Sequence, residues 1–232
     1  MSEGLNFENE YYFPPEIWKD ETVFIIGGGP SLKGMEWKNL YGKRVIGCND
    51  AYQLGFKPAY KSPYLESCFP LRPTSSWIQI ILFGDNCWFA EHRDHIVKRE
   101  EHHLFISMAS QNPHCESVSW MRREPEGLTT RDSGKIGWNK STGAGAINLA
   151  LILGAKRIVL LGFDMKMGKD HQANWHSNEV NQPIPSDYIK FSTGMELIAM
   201  QLSDKYPNIE ILNAGPDSAL DCFEKVNLEE IL

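Results

Sequence analysis

The run Thr22-Val23-Phe24-Ile25-Ile26 passes directly into Gly27-Gly28-Gly29-Pro30-Ser31. A near-continuous apolar run that stops at a glycine turn belongs to a strand covered on both faces, the situation of a parallel sheet with helices on either side. The rest of the chain repeats the theme. Short β-branched runs alternate with segments of helical period, as expected where strands pair in parallel and helices cross over the sheet. Further strands are expected at Arg44–Cys48, Ile78–Phe83, Leu104–Met108, Arg157–Leu161 and Ile209–Asn213. Helices are expected from about Ser31 to Leu40, from Trp88 to about Lys98, over Thr142–Gly154 with Gly154 as its stop, and from about Ser186 to Lys205.

Two stretches show no clear period. Phe56 to Trp77 is rich in proline and aromatic residues, and Ala109 to Lys140 in serine, arginine and glycine. Irregular stretches of that length in a compact domain are often functional, so a cap or lid over one end of the sheet is expected from them. The expected fold class is α/β, one Rossmann-like domain over residues 1–232 with a single doubly wound, mostly parallel sheet and irregular insertions at about 56–77 and 109–140.

Composition narrows the function classes. The 232 residues carry a formal net charge of −7, which disfavours broad attachment to phosphate backbones. The cysteines Cys48, Cys68, Cys87, Cys115 and Cys222 are odd in number, with no C-x-x-C pair, so reduced thiols are expected. Met1 to Pro15 is acidic and aromatic, unlike a secretory leader, and no apolar stretch approaches a bilayer's width. A cytoplasmic protein without a membrane partner is expected. Formation of a homo-oligomer is left open.

In open parallel sheets ligands collect beyond the carboxyl ends of the strands. Reading those ends together gives Gly27 to Ser31, Asn49-Asp50, Gly84-Asp85, Ser141-Thr142-Gly143, Gly162 to Asp164 and Asn213 to Ser218. Glycines admit a ligand to the backbone and a following helix start attracts negative charge, so a nucleotide-like phosphorylated ligand is expected at Gly27-Gly28-Gly29-Pro30-Ser31. Gly27 and Gly29 open like a dinucleotide fingerprint, but Leu32 stands where its third glycine would be. Asp50 lies about where a ribose-binding acid would sit, which keeps NAD as an alternative. No G-x-x-x-x-G-K-[ST] is present. Asp85 is either an acceptor-binding carboxylate or the cap of the next helix. Of the tryptophans, Trp175, inside a polar loop, is the one that invites a stacking role.

The run Ile26 to Leu32, then Cys48-Asn49, then Ser141-Thr142-Gly143, then Leu153 to Asp164 resembles, in that order, the bacterial sialyltransferases of the Campylobacter type and the related DUF115 proteins. The latter include flagellin-modifying glycosyltransferases and MptE-like pterin diphosphokinases. Gly84-Asp85-Asn86-Cys87-Trp88, the His171 to His176 loop and Ser218-Ala219-Leu220 resemble small phage and prophage members. The resemblance implies a GT-A-variant-like fold and a metal-independent transferase. Its CMP part would be held at Gly27, Gly29, Pro30, Ser31, Asn49, Ser141, Thr142 and Gly143. Gly28, Asp50, Gly162 and Asp164 complete the expected nucleotide site.

The resemblance further implies a histidine base in the loop after Gly-x-Asp, with His176 first and His171 second, beside Asp85 as a third catalytic candidate. An imidazole suits that task because its ordinary pKa lies near neutrality. The family's tyrosine pair near the leaving phosphate is replaced here by Trp175 and a later Tyr188. Expected partners are a nucleotide or nucleotide-sugar and an unspecified acceptor, and no cofactor is required. The alternatives are an ATP-dependent diphosphokinase, which needs Mg²⁺ and would gather Asp164, Asp170, His171 and His176 around it, and a nucleotide-binding phage accessory protein without catalysis.

Overall fold

The computed structural model describes residues 11–54, 76–99, 103–169, 171–176, 182–215 and 217–232. Ten strands and three α-helices are formed among them. The strands are β1 (Thr22–Ile26), β2 (Arg44–Cys48), β3 (Ile80–Phe83), β4 (Leu104–Ser107), β5 (Val118–Trp120), β6 (Arg122–Glu124), β7 (Lys135–Gly137), β8 (Arg157–Leu161), β9 (Glu210–Asn213) and β10 (Glu224–Lys225). The helices are α1 (Asn86–Arg99), α2 (Thr142–Ile152) and α3 (Pro185–Lys205).

The eight-stranded sheet runs β10-β9-β8-β1-β2-β3-β4-β5, and each of its pairings is parallel. The chain moves outward from β1 to β5, then returns to lay β8 on the other side of β1. That reversal makes the fold doubly wound and opens a crevice between the carboxyl ends of β1 and β8.

Alternation along the strands feeds two apolar layers. Val23, Ile25, Ile46, Ile80, Leu82, Ile158 and Leu160 join α2 and the Met195 and Ile198 of α3 on one face. Phe24, Ile26, Val45, Ile81, Phe83, Val159 and Leu161 join Trp88, Phe89 and Ile96 of α1 on the other. Burial on both faces is why these strands read as continuous apolar runs. Among the described residues no helix is long and apolar enough to cross a membrane.

The helix expected from Ser31 to Leu40 is absent. The segment makes two short 3-10 turns instead, Pro30–Leu32 and Trp37–Leu40. Gly34 between them adopts φ +82°, a left-handed conformation that ends a right-handed helix. The stretch expected as an irregular excursion, 109–140, instead supplies β5, the outermost strand on its side of the sheet, and the separate parallel pair β6-β7. The sheet also ends in β10, one strand beyond the expected last one. Most of the expected 56–77 insertion lies outside the described residues. At its end Trp77 is fully buried, with its indole N–H donating to the Leu54 carbonyl at 3.0 Å.

The β6-β7 segment is fastened to the core by Asn148, wholly buried inside α2. Its Oδ1 accepts from the Thr129 amide at 3.1 Å, the Thr129 hydroxyl at 2.8 Å and the Gly137 amide at 2.6 Å, and its Nδ2 donates to the Thr129 carbonyl at 3.0 Å. Together with Gln201 and Tyr206 of the α3 region, which bond Leu128 and Thr129, this side chain holds the segment beside the start of α2.

Candidate functional site

A cavity of about 550 Å³ occupies the crevice at the β1/β8 reversal. Its floor is the turn after β1, held by a ladder of bonds to the turn after β8. The Gly27 amide donates to the Leu161 carbonyl at 2.8 Å and the Gly29 amide to the Gly162 carbonyl at 2.8 Å. The Ser31 amide donates to Asp164 Oδ2 at 2.8 Å. A Cβ on Gly29 would stand 2.5 Å from that carboxylate, so only glycine permits the approach. With three amides of the turn spent on the protein and no α-helix behind it, the turn offers a flat backbone surface and not a helix-dipole site.

The start of α2 faces the cavity, as do residues at the starts of α1 and α3. Ser141, Thr142 and Gly143 line the wall. Ser141 Oγ caps the helix by accepting from the Ala144 amide at 3.0 Å. An α-helix start of this kind presents amides and a partial positive charge to an anion.

Asn49 and Asp50 begin a 3-10 turn directly after β2. Asn49 sits at φ +49°, a conformation asparagine tolerates better than most residues. It lines the cavity, and its buried Oδ1 has no hydrogen-bond partner among the described residues. Asp50 is buried and gripped by protein donors. Gln53 Nε2 donates to Oδ1 at 2.9 Å and the Trp88 indole N–H to Oδ2 at 3.0 Å. His92 Nε2 stands 3.4 Å from Oδ1 and His176 Nε2 stands 3.8 Å from Oδ2.

His176 reaches the cavity because its neighbour is tied to the glycine turn. The Trp175 amide donates to the Gly28 carbonyl at 3.0 Å and its indole N–H to the Gly27 carbonyl at 3.3 Å. The His176 side chain is 10% exposed, and its Nδ1 is buried with no hydrogen-bond partner among the described residues. Burial, foremost, and the nearby His92 pull its pKa below the ordinary histidine value, while Asp50 pulls it up.

Asp85, at the end of β3, also lines the cavity. Burial raises its pKa and Arg123 opposes the rise. Arg123, on β6, donates through Nε to the Met108 carbonyl at 2.7 Å and through Nη2 to the Gly84 carbonyl, and lies 4.1 Å above the Trp138 ring. Burial lowers the guanidinium's own pKa. Trp138 and Lys140, after β7, and Tyr188 and Lys190, on α3, complete the polar end of the wall.

Of the residues singled out in the sequence, Gly27, Gly28, Gly29, Asn49, Asp50, Asp85, Ser141, Thr142, Gly143, Gly162, Asp164 and His176 meet in this one cavity. Pro30 and Ser31 belong to the turn beneath it. His171 is exposed on the outer part of its loop, where its amide donates to the Gly168 carbonyl at 3.1 Å, and it is not among the lining residues. Asp170 lies outside the described residues. No three His, Cys, Asp or Glu side chains among the described residues converge as a metal centre. Arg123, Lys140 and Asn174 were not foreseen. Nothing local marks Arg123, whereas Trp88 was placed at a helix start without its bond to Asp50.

No protein-family model matches the sequence, and no curated protein matches it. Among solved structures, the sialyltransferase CstII from Campylobacter jejuni in complex with a substrate analogue, cytidine-5'-monophosphate, is 16% identical, with 90% of this chain and 85% of that chain covered at a TM-score of 0.50. An asparagine-to-alanine variant of the sialyltransferase CST-II in complex with CMP is 17% identical, with 89% and 86% covered at a TM-score of 0.51. The chain is similar in fold to both. The shared fold is α/β with a mostly parallel sheet, and it extends over nearly the whole of each chain.

Proposed function

We propose that this protein is a nucleotide-sugar-dependent glycosyltransferase of the sialyltransferase kind, using a CMP-sugar or a similar nucleoside-phosphate donor, and that it is allied to the phage-type DUF115 proteins. One observation carries the reading. Asn49 Oδ1 and His176 Nδ1 are buried polar atoms without hydrogen-bond partners among the described residues, and both residues line the cavity at the sheet reversal. An unmade bond on a buried polar group costs about 1–3 kcal/mol, and a ligand that draws either side chain round toward the cavity would recover it. The neighbours in fold are sialyltransferases in complex with CMP, which suits a cavity with a glycine floor and an α-helix start.

In this reading the nucleotide lies on Gly27–Gly29 and beside Asn49, and its phosphate meets the amides at the start of α2. His176, kept neutral at pH 7 by its lowered pKa, takes the proton of the acceptor hydroxyl. The acceptor oxygen then bonds to the donor's anomeric carbon as the bond from that carbon to phosphate breaks and the nucleoside monophosphate departs. Lys140, Lys166 and Lys190 at the cavity wall add positive potential for the leaving phosphate. No step requires a metal ion.

The test is sugar transfer from CMP-sialic acid and other nucleotide-sugars to a panel of glycan acceptors, run in EDTA and again in Mg²⁺. Equal turnover in both supports the reading. Turnover of ATP alone, confined to Mg²⁺ and a pterin alcohol, would replace it with a diphosphokinase. Tight CMP binding with no turnover of any donor would make the protein a binding module.

A further inference from the structure

Asp50 stands at the crevice, as a ribose-binding acid would, yet its carboxylate is directed into the protein. Gln53 and His92 face one oxygen, and the Trp88 indole and His176 the other. His92 is itself fixed, since its Nδ1 meets the Trp88 carbonyl at 2.8 Å and its ring stacks on Trp88 at 4.5 Å between centroids. Two fixed donors, Gln53 Nε2 on one oxygen and the Trp88 indole N–H on the other, hold the Asp50 carboxylate in one orientation, and that orientation presents Oδ2 toward the imidazole that lines the cavity.

We infer that Asp50 is a positioning residue for His176, holding its Nε2 as the protonated nitrogen so that Nδ1 keeps the lone pair as the base. This assignment rests on the transferase reading for the identity of the base, though not for the geometry of the pair. An ionised carboxylate only accepts, so the ring nitrogen nearest it favours carrying hydrogen. A neutral imidazole has one hydrogen, so the other nitrogen is then the acceptor. That other nitrogen, Nδ1, has no hydrogen-bond partner among the described residues, and being buried it meets an acceptor hydroxyl when the ring shifts toward the cavity. The separation of 3.8 Å makes the contact electrostatic in the free protein, and bonds of this kind tighten when substrate is bound. Among the described residues, the groups facing His176 include Asp50 from the turn after β2 and His92 from α1, and the Trp175 ring lies edge-on at 5.0 Å; burial lowers the His176 pKa most, Asp50 raises it and His92 lowers it.

The experiment is long-range ¹H–¹⁵N NMR of the histidine rings in the wild type and in Asp50→Asn, titrated from pH 5 to 8, with CMP affinity measured on both. The wild type is expected to show His176 mainly as the Nε2–H form. In Asp50→Asn that preference weakens, the His176 pKa falls further, and the CMP Kd stays within about twofold because nucleotide contacts are untouched. If sugar transfer is found, kcat drops on the order of 10²-fold and the acid limb of the rate profile moves down with the NMR pKa. A dominant Nδ1–H form in the wild type would overturn the assignment, and that reading stands even if the variant fails to fold. So would an unchanged His176 spectrum beside a tenfold loss of CMP affinity, which would make Asp50 a nucleotide ligand. Absence of transfer in the wild type tests the transferase reading separately, since the tautomer is read without substrate.

Discussion

The Ser31 amide donates to Asp164 Oδ2 at 2.8 Å across 133 residues of sequence, joining the turn after β1 to the turn after β8. The bond crosses the point where the sheet reverses direction, and Asp164 is 6% exposed. Asp164→Ala leaves a partly buried amide without its acceptor, a loss of about 1–3 kcal/mol. In a domain of this size each kcal/mol lowers Tm by roughly 2–4 °C. Asp164→Asn keeps an accepting oxygen and should lose less. Calorimetry that finds Asp164→Ala as stable as the wild type would show that the turn is held by its other bonds.

Two glycines separate steric need from conformational need. A Cβ at Gly29, whose φ of −63° any residue can adopt, would lie 2.5 Å from Asp164 Oδ2 and 2.6 Å from the Gly162 carbonyl. Gly34 has φ +82° but nothing within 4 Å of its Cβ position. Gly29→Ala should therefore push the turn away from β8 and abolish nucleotide binding. Gly34→Ala should cost about 1–2 kcal/mol in stability through its left-handed backbone and leave the Kd for CMP unchanged. The pair is read by calorimetric binding and thermal unfolding, and retained CMP binding in Gly29→Ala would mean that the ligand does not use the turn.

The contrast between these glycines also shows how far the chain could be read without coordinates. The strands were legible because burial on both faces leaves an unbroken apolar run, as at Thr22–Ile26 and Arg157–Leu161. The Ser31–Leu40 segment misled because its residue types allow a helix while Gly34 adopts a left-handed turn. Likewise the resemblance put His176 ahead of His171 in one polar loop, with nothing in the local sequence to give a physical reason for the order. What separates His176 from His171 is the anchoring of Trp175 to Gly27 and Gly28, a contact made about 150 residues away along the chain and invisible to any local pattern. Arg123 and Asn148 were illegible for the same reason, because their partners lie on other elements.

Asn148 gives the sharpest stability test. Replacing it with Leu keeps the volume nearly constant but leaves the buried Thr129 and Gly137 amides without their acceptor. Unsatisfied groups of this kind cost about 1–3 kcal/mol each, so Asn148→Leu should lose about 2–5 kcal/mol by urea unfolding. The β6-β7 pair should then open to hydrogen exchange before the β1-β8 core. A loss below about 1 kcal/mol would mean that β6-β7 is fixed by its packing and not by this side chain.

The pH dependence follows from His176. Burial holds its pKa below the ordinary value of about 6.5, outweighing the upward pull of Asp50. The base works in its neutral form, so transfer should be at full rate near pH 7 and fall only when the pH drops below about 6.5. Stability has the same sign. As pH falls through the ordinary value the unfolded chain takes up the proton first, the native state binds fewer protons, and stability declines until the folded pKa is reached. His176→Gln removes that group, so its stability should vary less than the wild type's over the same interval, while kcat falls by about 10²–10⁴-fold. Rate profiles and unfolding curves at matched pH measure both effects. An acid limb at or above the ordinary histidine value would remove His176 from the role of base.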